Sequence, residues 1–404
     1  MPVDLDNPMR TALDAVLDEG RRRTGGEVAS YIPELATADP EALGVALVSA
    51  RGVVHTAGDS DAEFTIQSVS KPFVFALALD RLGLAEVTRH VGLEPSGEPF
   101  NAISLEASTG RPLNPMINAG AIVTTSLMPG DTVAEKFAAV QAGLDRFAGR
   151  DLAVDEAVFA SEEETGDRNR ALAYLSRSTG ALASTARIAT EAYFRQCAVS
   201  VTARDLAIMA ATLATGGVNP VTGERVVSAD AARWTIAVMT SCGMYDASGD
   251  WLVRVGLPAK SGVGGGIVAL QPGEFGIGTF SPPLDAQGNS VRGVAMLQAV
   301  SERYDLHLLA HAREPLSPIA ALETSDDGDE TVAVLRGEPL YAGAEEVVSR
   351  LAPLVADGGR LVLDFTGVTH LGPAARTIFA AALASGSDAG SPRITARDPD
   401  GVLD

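Results

Sequence analysis

FTIQSVSKPF, Phe64–Phe73, is the stretch on which the reading of this chain turns. Its first half is rich in Phe, Thr, Ile and Val and suits a strand. From Lys71 the apolar run KPFVFALALDRLGL is long enough for a buried helix. Ser68 and Lys71 therefore form an S-x-x-K pair at a strand-to-helix transition. A spacing of three on a helix brings both side chains onto one face, so the amine can reach the hydroxyl. The helix start also offers unpaired backbone N–H groups, which favour developing negative charge. A serine hydroxyl is a weak nucleophile, and a desolvated neutral lysine can take its proton. Alone the pattern is weak, because two fixed positions in four recur by chance, and Ser68 by itself reads more readily as a helix cap.

Two further observations support the nucleophile. Of 31 basic residues only three are lysines, Lys71, Lys136 and Lys260. An ammonium can lose its proton and a guanidinium effectively cannot, so a lysine retained in an arginine-rich chain points to proton chemistry, although genome composition alone also produces such a bias. The second is Lys260-Ser261-Gly262 followed by Val263-Gly264-Gly265-Gly266. Seen alone this is a flexible loop or a bulged edge strand. On a strand its glycines let a substrate approach the backbone. S-x-x-K followed some way on by K-[ST]-G resembles the arrangement of penicillin-recognising serine enzymes. Their third element, S-x-N or Y-x-N, is absent from this sequence. That pattern implies a relative with the same fold and nucleophile but a different substrate.

Outward from this centre, MRTALDAVLDEGRRR reads as a helix ending before Gly25-Gly26. LGVALVSARGVVHTAG and EFTIQSV read as two strands joined by a turn. Residues 130–240 carry mostly helical patterns. KSGVGGGIVAL, FGIGTFSPPL and, after a turn at Gly288-Asn289, VRGVAML read as strands, and AVSERYDLHLLAHAR as a closing helix. Strands at both ends with helices between predict one sheet assembled from the two termini of a catalytic domain, residues 1–312. Two prolines and an acidic run make 313–330 linker composition. Residues 331–404 alternate strand and helix as a small α/β module.

The segments GGEVASYIPELA (25–36), FTIQSVSKPF (64–73), NPMINAGAI (114–122), SEEETGDRNRALA (161–173), EAYFRQCAVSV (191–201), SCGMYDASGDW (241–251) and GLPAKSGVGGGI (256–267) resemble the bacterial and mitochondrial glutaminase family. The resemblance covers nearly all of the first domain, in order. It implies a β-lactamase/transpeptidase-like fold with an antiparallel sheet and a helical region, no cofactor, no metal, and an acyl-enzyme route. Carried onto this chain, Ser68 is the nucleophile and Lys71 its base. The pocket for L-glutamine is Tyr31, Ser68, Asn118, Glu162, Asn169, Tyr193, Tyr245 and Val263. Each suits the substrate. Glu162 matches its ammonium, and Asn118, Asn169 and the tyrosine hydroxyls match its carboxylate. The amides of Ser68 and Val263 suit an oxyanion. Tyr245 suits proton donation to leaving ammonia, and Lys260 shapes the field around it. Plainer readings exist: Glu162 lies in an acidic run that ordinarily faces solvent, Tyr193 on an apolar helix, and Tyr31 at a turn entry.

GEPLYAGAEEVVSRL and LVLDFTGVTHLGPAARTIFAAAL resemble a STAS domain, a small α/β fold that binds partner proteins or ligands or supports oligomers. Where signalling members place a phosphorylatable Ser after an Asp, this chain has Leu371-Gly372-Pro373, so the resemblance carries no phospho-switch to it.

Composition narrows the classes. A net charge of −21 argues against nucleic acid, which requires a basic surface. No run suits a membrane span, and the acidic start does not read as a secretory signal, which together predict a cytoplasmic protein. Cys197 and Cys242 are the only cysteines, too few for a disulfide framework. His307 and His311 lie four apart without a metalloprotease pattern and read as surface residues. The family resemblance implies a homodimer or homotetramer. Two other readings stay open at this point: a β-lactam-processing enzyme, and a catalytically silent glutamine sensor for the C-terminal module.

Overall fold

In the computed structural model the described residues are 6–98, 102–310, 317–326, 329–356, 358–385 and 393–403. The backbone divides into two units, Met1–Ala310 and His311–Asp404.

The first unit is built on an antiparallel sheet of five strands. β1 (Gly44–Ser49) and β2 (Val54–Gly58) come from the N-terminal side. β3 (Phe64–Thr65) and β4 (Ser200–Val201) pair separately. β5 (Ala259–Ser261), β6 (Gly266–Gln271) and β7 (Phe275–Phe280) come from the C-terminal side. The order is β2-β1-β7-β6-β5, so distant ends of the unit meet at the β1–β7 pairing, Gly44 opposite Phe280 through Ser49 opposite Phe275. One face of the sheet packs on helices Asp6–Arg21 and Val291–Tyr304, with Leu13, Leu17, Met296 and Leu297 against Val45, Ile267 and Ile277. The other face meets helix Ala203–Ala214. Gly276 and Gly278 make that approach possible, since a Cβ on either would stand 2.1 Å from Ala211 N or 2.3 Å from Ala203 O. These glycines therefore serve helix–sheet packing. The larger core surrounds helix Lys71–Leu82, whose Phe73 packs on Phe147 at 5.1 Å.

Several elements differ from the sequence reading. LGVALVSARGVVHTAG is itself a hairpin, turning at Arg51-Gly52, and KSGVGGGIVAL is a second, β5 to β6. EFTIQSV yields only the two residues of β3 before tightening into a 3₁₀ turn, Gln67–Ser70. VRGVAML is helix, not strand. Ser290 caps it by accepting from Gly293 N, and Met296, Leu297 and Val300 form one apolar stripe on the sheet. The closing helix ends at Tyr304, where Asp305 turns left-handed (φ 54°). His307 lies beyond it, half-buried, with Nε2 against Leu252 O at 2.7 Å. His311 lies outside the described residues.

The second unit has four strands in the order β11-β10-β9-β8, with β8 Ile319–Thr324, β9 Glu330–Gly337, β10 Arg360–Val368 and β11 Ile394–Arg397. β9, β10 and β11 are parallel, joined through helices Tyr341–Ala356 and Pro373–Ser385, as crossovers between parallel strands require. β8 runs antiparallel to β9 and falls inside the stretch read as linker. Its apolar start, Ile319-Ala320-Ala321-Leu322, lies between the two prolines and the acidic run whose composition reads as linker. The core is separate and centred on Phe365 and Phe379, edge to face at 5.2 Å. Among the described residues no helix is long and apolar enough to cross a membrane.

Candidate active site

Ser68 lies in the 3₁₀ turn between β3 and helix Lys71–Leu82. The residue before it, Gln67, has φ +47°, and Tyr245 has φ +57°. Among the described residues, the only other non-glycine with positive φ is Asp305. Neither glutamine nor tyrosine favours this region, and such strain persists where surrounding structure over-determines it. The two strained residues flank one hydroxyl, because the Ser68 side chain hydrogen-bonds to Tyr245. Tyr245 also donates to Ser261 O at 2.9 Å. Burial raises its phenol pKa, so it is a neutral proton donor.

Lys71 is wholly buried, and its amine donates to Asn118 Oδ1 at 2.8 Å and Met116 O at 3.2 Å. Burial with no carboxylate beside it lowers its pKa to about 7. A neutral amine has two N–H donors and one lone pair. The two acceptors use the donors and leave the lone pair free. Lys260, on β5, is also buried and donates to Gly243 O at 2.9 Å and Ser261 O at 2.6 Å, with Nζ 3.9 Å from the centre of the Tyr245 ring. Burial first, and the nearby Lys71 second, push its pKa well down. Lys136, the third lysine, is buried far along the chain from these motifs, where it donates to Ser126 O and Met128 O at the end of helix Asn118–Ser126.

Opposite Ser68 runs the glycine turn between β5 and β6. A Cβ on Gly262 would stand 2.9 Å from Val69 and 3.2 Å from Ile66 O, and one on Gly264 would stand 2.6 Å from Thr65 O. These two glycines press Val263 against the Ser68 turn. Among the described residues the Val263 amide has no hydrogen-bond acceptor, whereas those of Gly262 and Gly265 bond to Gly266 O and Gly262 O.

A cavity of about 330 Å³ opens over Ser68. It brings together Tyr31, Ser68, Asn118, Glu162, Asn169, Tyr193 and Val263, seven of the eight residues in the predicted pocket. Tyr245 does not line it; it lines a second cavity and meets the first through its hydrogen bond with the Ser68 side chain. Glu162 is buried despite its acidic neighbours. It accepts from Tyr31 Oη at 2.8 Å and from Gln67, and burial raises its pKa. Tyr31 is half-exposed, but its hydroxyl turns inward. Burial and the Glu162 charge raise its pKa well above the ordinary value. Asn118 begins its helix and is held on both sides, with Oδ1 toward Lys71 and Tyr193 (3.4 Å) and Nδ2 donating to Asn169 Oδ1 at 2.9 Å. That helix start is set by Asn114, whose Oδ1 accepts from Met116 N and Ile117 N.

Sequence reasoning missed Gln67, Thr165, Gly166, Arg168 and Cys197 in the cavity wall. Cys197 was findable, because it follows Tyr193 by four on one helix and so shares its face. Burial pushes its thiol up to about 12, so it stays neutral. Gln67 gave no signal, since its role depends on a backbone angle.

The glutaminase family model matches residues 26–309. Glutaminase 1 of Bradyrhizobium diazoefficiens is 54% identical over 314 residues, 78% of this chain, which spans only 51% of that longer protein. The glutaminase of Corynebacterium glutamicum is 43% identical over 99% of this chain and 96% of its own length. The crystal structure of Mglu superposes with a TM-score of 0.86 at 43% identity, covering 98% of this chain and 99% of Mglu. The likeness to the last two extends through the second unit. On these matches, the chain belongs to the glutaminase family of hydrolases.

Proposed function

We propose that the protein hydrolyses the side-chain amide of L-glutamine to L-glutamate and ammonia through a glutamyl ester on Ser68. The observation that carries the reading is one cavity with Ser68 at its floor, on a turn strained at Gln67, and a buried carboxylate in its wall. Pockets for small molecules begin near 300 Å³, and a free amino acid fits one of about 330 Å³. The substrate ammonium pairs with Glu162 and Tyr31, its carboxylate takes the Asn169 and Tyr193 side, and its amide reaches Ser68. Neutral Lys71 accepts the Ser68 proton as Oγ bonds to the amide carbon. The resulting oxyanion is held by the amides of Ser68 and Val263, where one lost donor costs about 3–4 kcal/mol. The C–N bond breaks as Tyr245 gives its proton to the departing nitrogen. Tyr245 regains a proton from Lys71. Water then attacks the ester carbonyl, its proton passing to neutral Lys71, which returns it to Ser68 Oγ as the ester C–O bond breaks and glutamate is released. Lys260 acts by holding Tyr245 and Ser261. No metal or cofactor enters.

The same reading gives the first unit a β-lactamase-like fold, supported by the S-x-x-K turn facing a K-S-G strand. It makes the second unit STAS-like, supported by its strand–helix alternation around a parallel core. Family membership is the support for a homo-oligomer in the cytoplasm. Ammonia release from glutamine tests the reaction. Ser68→Ala is expected to lower kcat by about 10⁶ and to abolish the covalent adduct seen by mass spectrometry. Full activity in that variant would overturn the mechanism.

A further inference from the structure

The second unit contains a cavity that the glutaminase reading leaves unused. It has a volume of about 250 Å³ and opens between the C-terminal ends of helices Tyr341–Ala356 and Pro373–Ser385. Its walls are Leu351 and Val355 of the first helix, Leu361 and Leu363 of β10, Ile394 of β11 and Ala382 of the second helix. Among the described residues that line it, Ser385 alone has a polar side chain, and it stands at the rim.

Two features of the sequence leave this space unfilled. Pro353 lies inside the first helix and removes one backbone hydrogen bond in its last turns. The second helix faces the opening with Ala382, in the alanine-rich run Phe379-Ala380-Ala381-Ala382, where a larger side chain would reach Leu351. Water gains little there, since an ordered water needs two to four polar partners, and apolar cavities stay dry and accept apolar ligands. At the roughly 30 Å³ of a liquid water, the space holds about eight heavy atoms in a row or cluster.

Among the described residues, a cation stands at the rim. Exposed Arg393, next to the lining residue Ile394, donates from its guanidinium to Val355 O at 3.4 Å, at the edge of the aliphatic wall. Guanidinium is the side chain best shaped for a carboxylate; the Ser385 hydroxyl at the same edge donates to Ala382 O at 2.9 Å. We propose that this cavity binds the chain of an unbranched aliphatic carboxylic acid of about eight carbons, with the carboxylate at Arg393. The chain buries apolar surface against both helices and β10, and the head group stays in water at the rim.

Titration calorimetry of the full-length protein with octanoate tests this, with 1-octanol as the uncharged probe. Saturable one-to-one binding is expected, together with an upward shift of the second unit's unfolding midpoint that grows with octanoate concentration. Ala382→Leu fills the space and is expected to weaken octanoate binding more than tenfold while leaving glutaminase activity unchanged. Arg393→Gln, an exposed change that threatens no core contact, is expected to weaken octanoate binding about tenfold and leave 1-octanol unaffected. The absence of saturable heat with octanoate overturns the proposal. So does equal binding of octanoate and 1-octanol to the unaltered protein, or octanoate binding unchanged in Ala382→Leu.

Discussion

Each unit holds a cavity of a few hundred cubic ångströms, and the two are built by opposite rules. The first is lined by a carboxylate, two asparagines, tyrosines and a strained turn, with a buried lysine behind them. The second is lined almost entirely by aliphatic side chains on regular helices and strands. A polar cavity must give every buried group a partner, so its geometry is over-determined. Asn118 is held between Lys71, Tyr193 and Asn169, and Glu162 between Tyr31 and Gln67. An apolar cavity needs only that nothing fill it. The contrast teaches that catalytic geometry is bought with buried charge and backbone strain, whereas a cavity for an apolar chain needs neither.

Lys71→Met tests that contrast most severely, because it removes the proposed base and a buried amine together. Loss of the base is expected to lower kcat by about 10²–10⁴. Stability moves the other way. The amine gives up its proton near pH 7 in the fold, against 10.5 ordinarily, so between those values the unfolded chain holds the extra proton and raising the pH favours the fold. Below pH 7 the charged amine is buried at full cost, and there the methionine variant should gain a few kcal/mol in chemical denaturation. A variant that loses both activity and stability would show that Lys71 is held as a structural cation.

Tyr245→Phe leaves the ring under Lys260 and removes the hydroxyl between Ser68 and Ser261. It is expected to reduce kcat by about 10²-fold or more, with little change in KM. Glu162→Gln keeps the shape of the wall and removes its charge. It should raise KM for glutamine about tenfold to a hundredfold, the weight of a charge-assisted hydrogen bond, and bring discrimination against N-blocked glutamine close to unity. Phe379→Ala sharpens the comparison from the other side. It opens the second core, costing that unit about 3–5 kcal/mol of stability, while kcat for glutamine stays within twofold.

The proposed catalytic pair was legible because S-x-x-K and K-S-G are local patterns with mechanical reasons behind their spacing. The lysine count pointed the same way: all three lysines are buried, two of them in the site and one capping a helix end. The element boundaries were less legible. VRGVAML has the β-branched look of a strand, yet Ser290 and the apolar stripe through Val300 make it a helix once the sheet is there to receive it. Strand β8 was hidden because its short apolar run, Ile319 to Leu322, sits between prolines and an acidic run that read as linker.

From the sequence alone came the proposed nucleophile and its lysine, the glycine-rich K-S-G turn, and the order of two α/β units, because each is read from residues close in the chain. Tertiary structure alone decided that the glycines of β7 admit a helix and those around Val263 admit the Ser68 turn. It also decided that Gln67 takes a left-handed angle and that Lys71 loses its charge near neutrality. Those outcomes depend on what is packed beside each residue and on how far water is kept away, and neither is written in the local order of side chains.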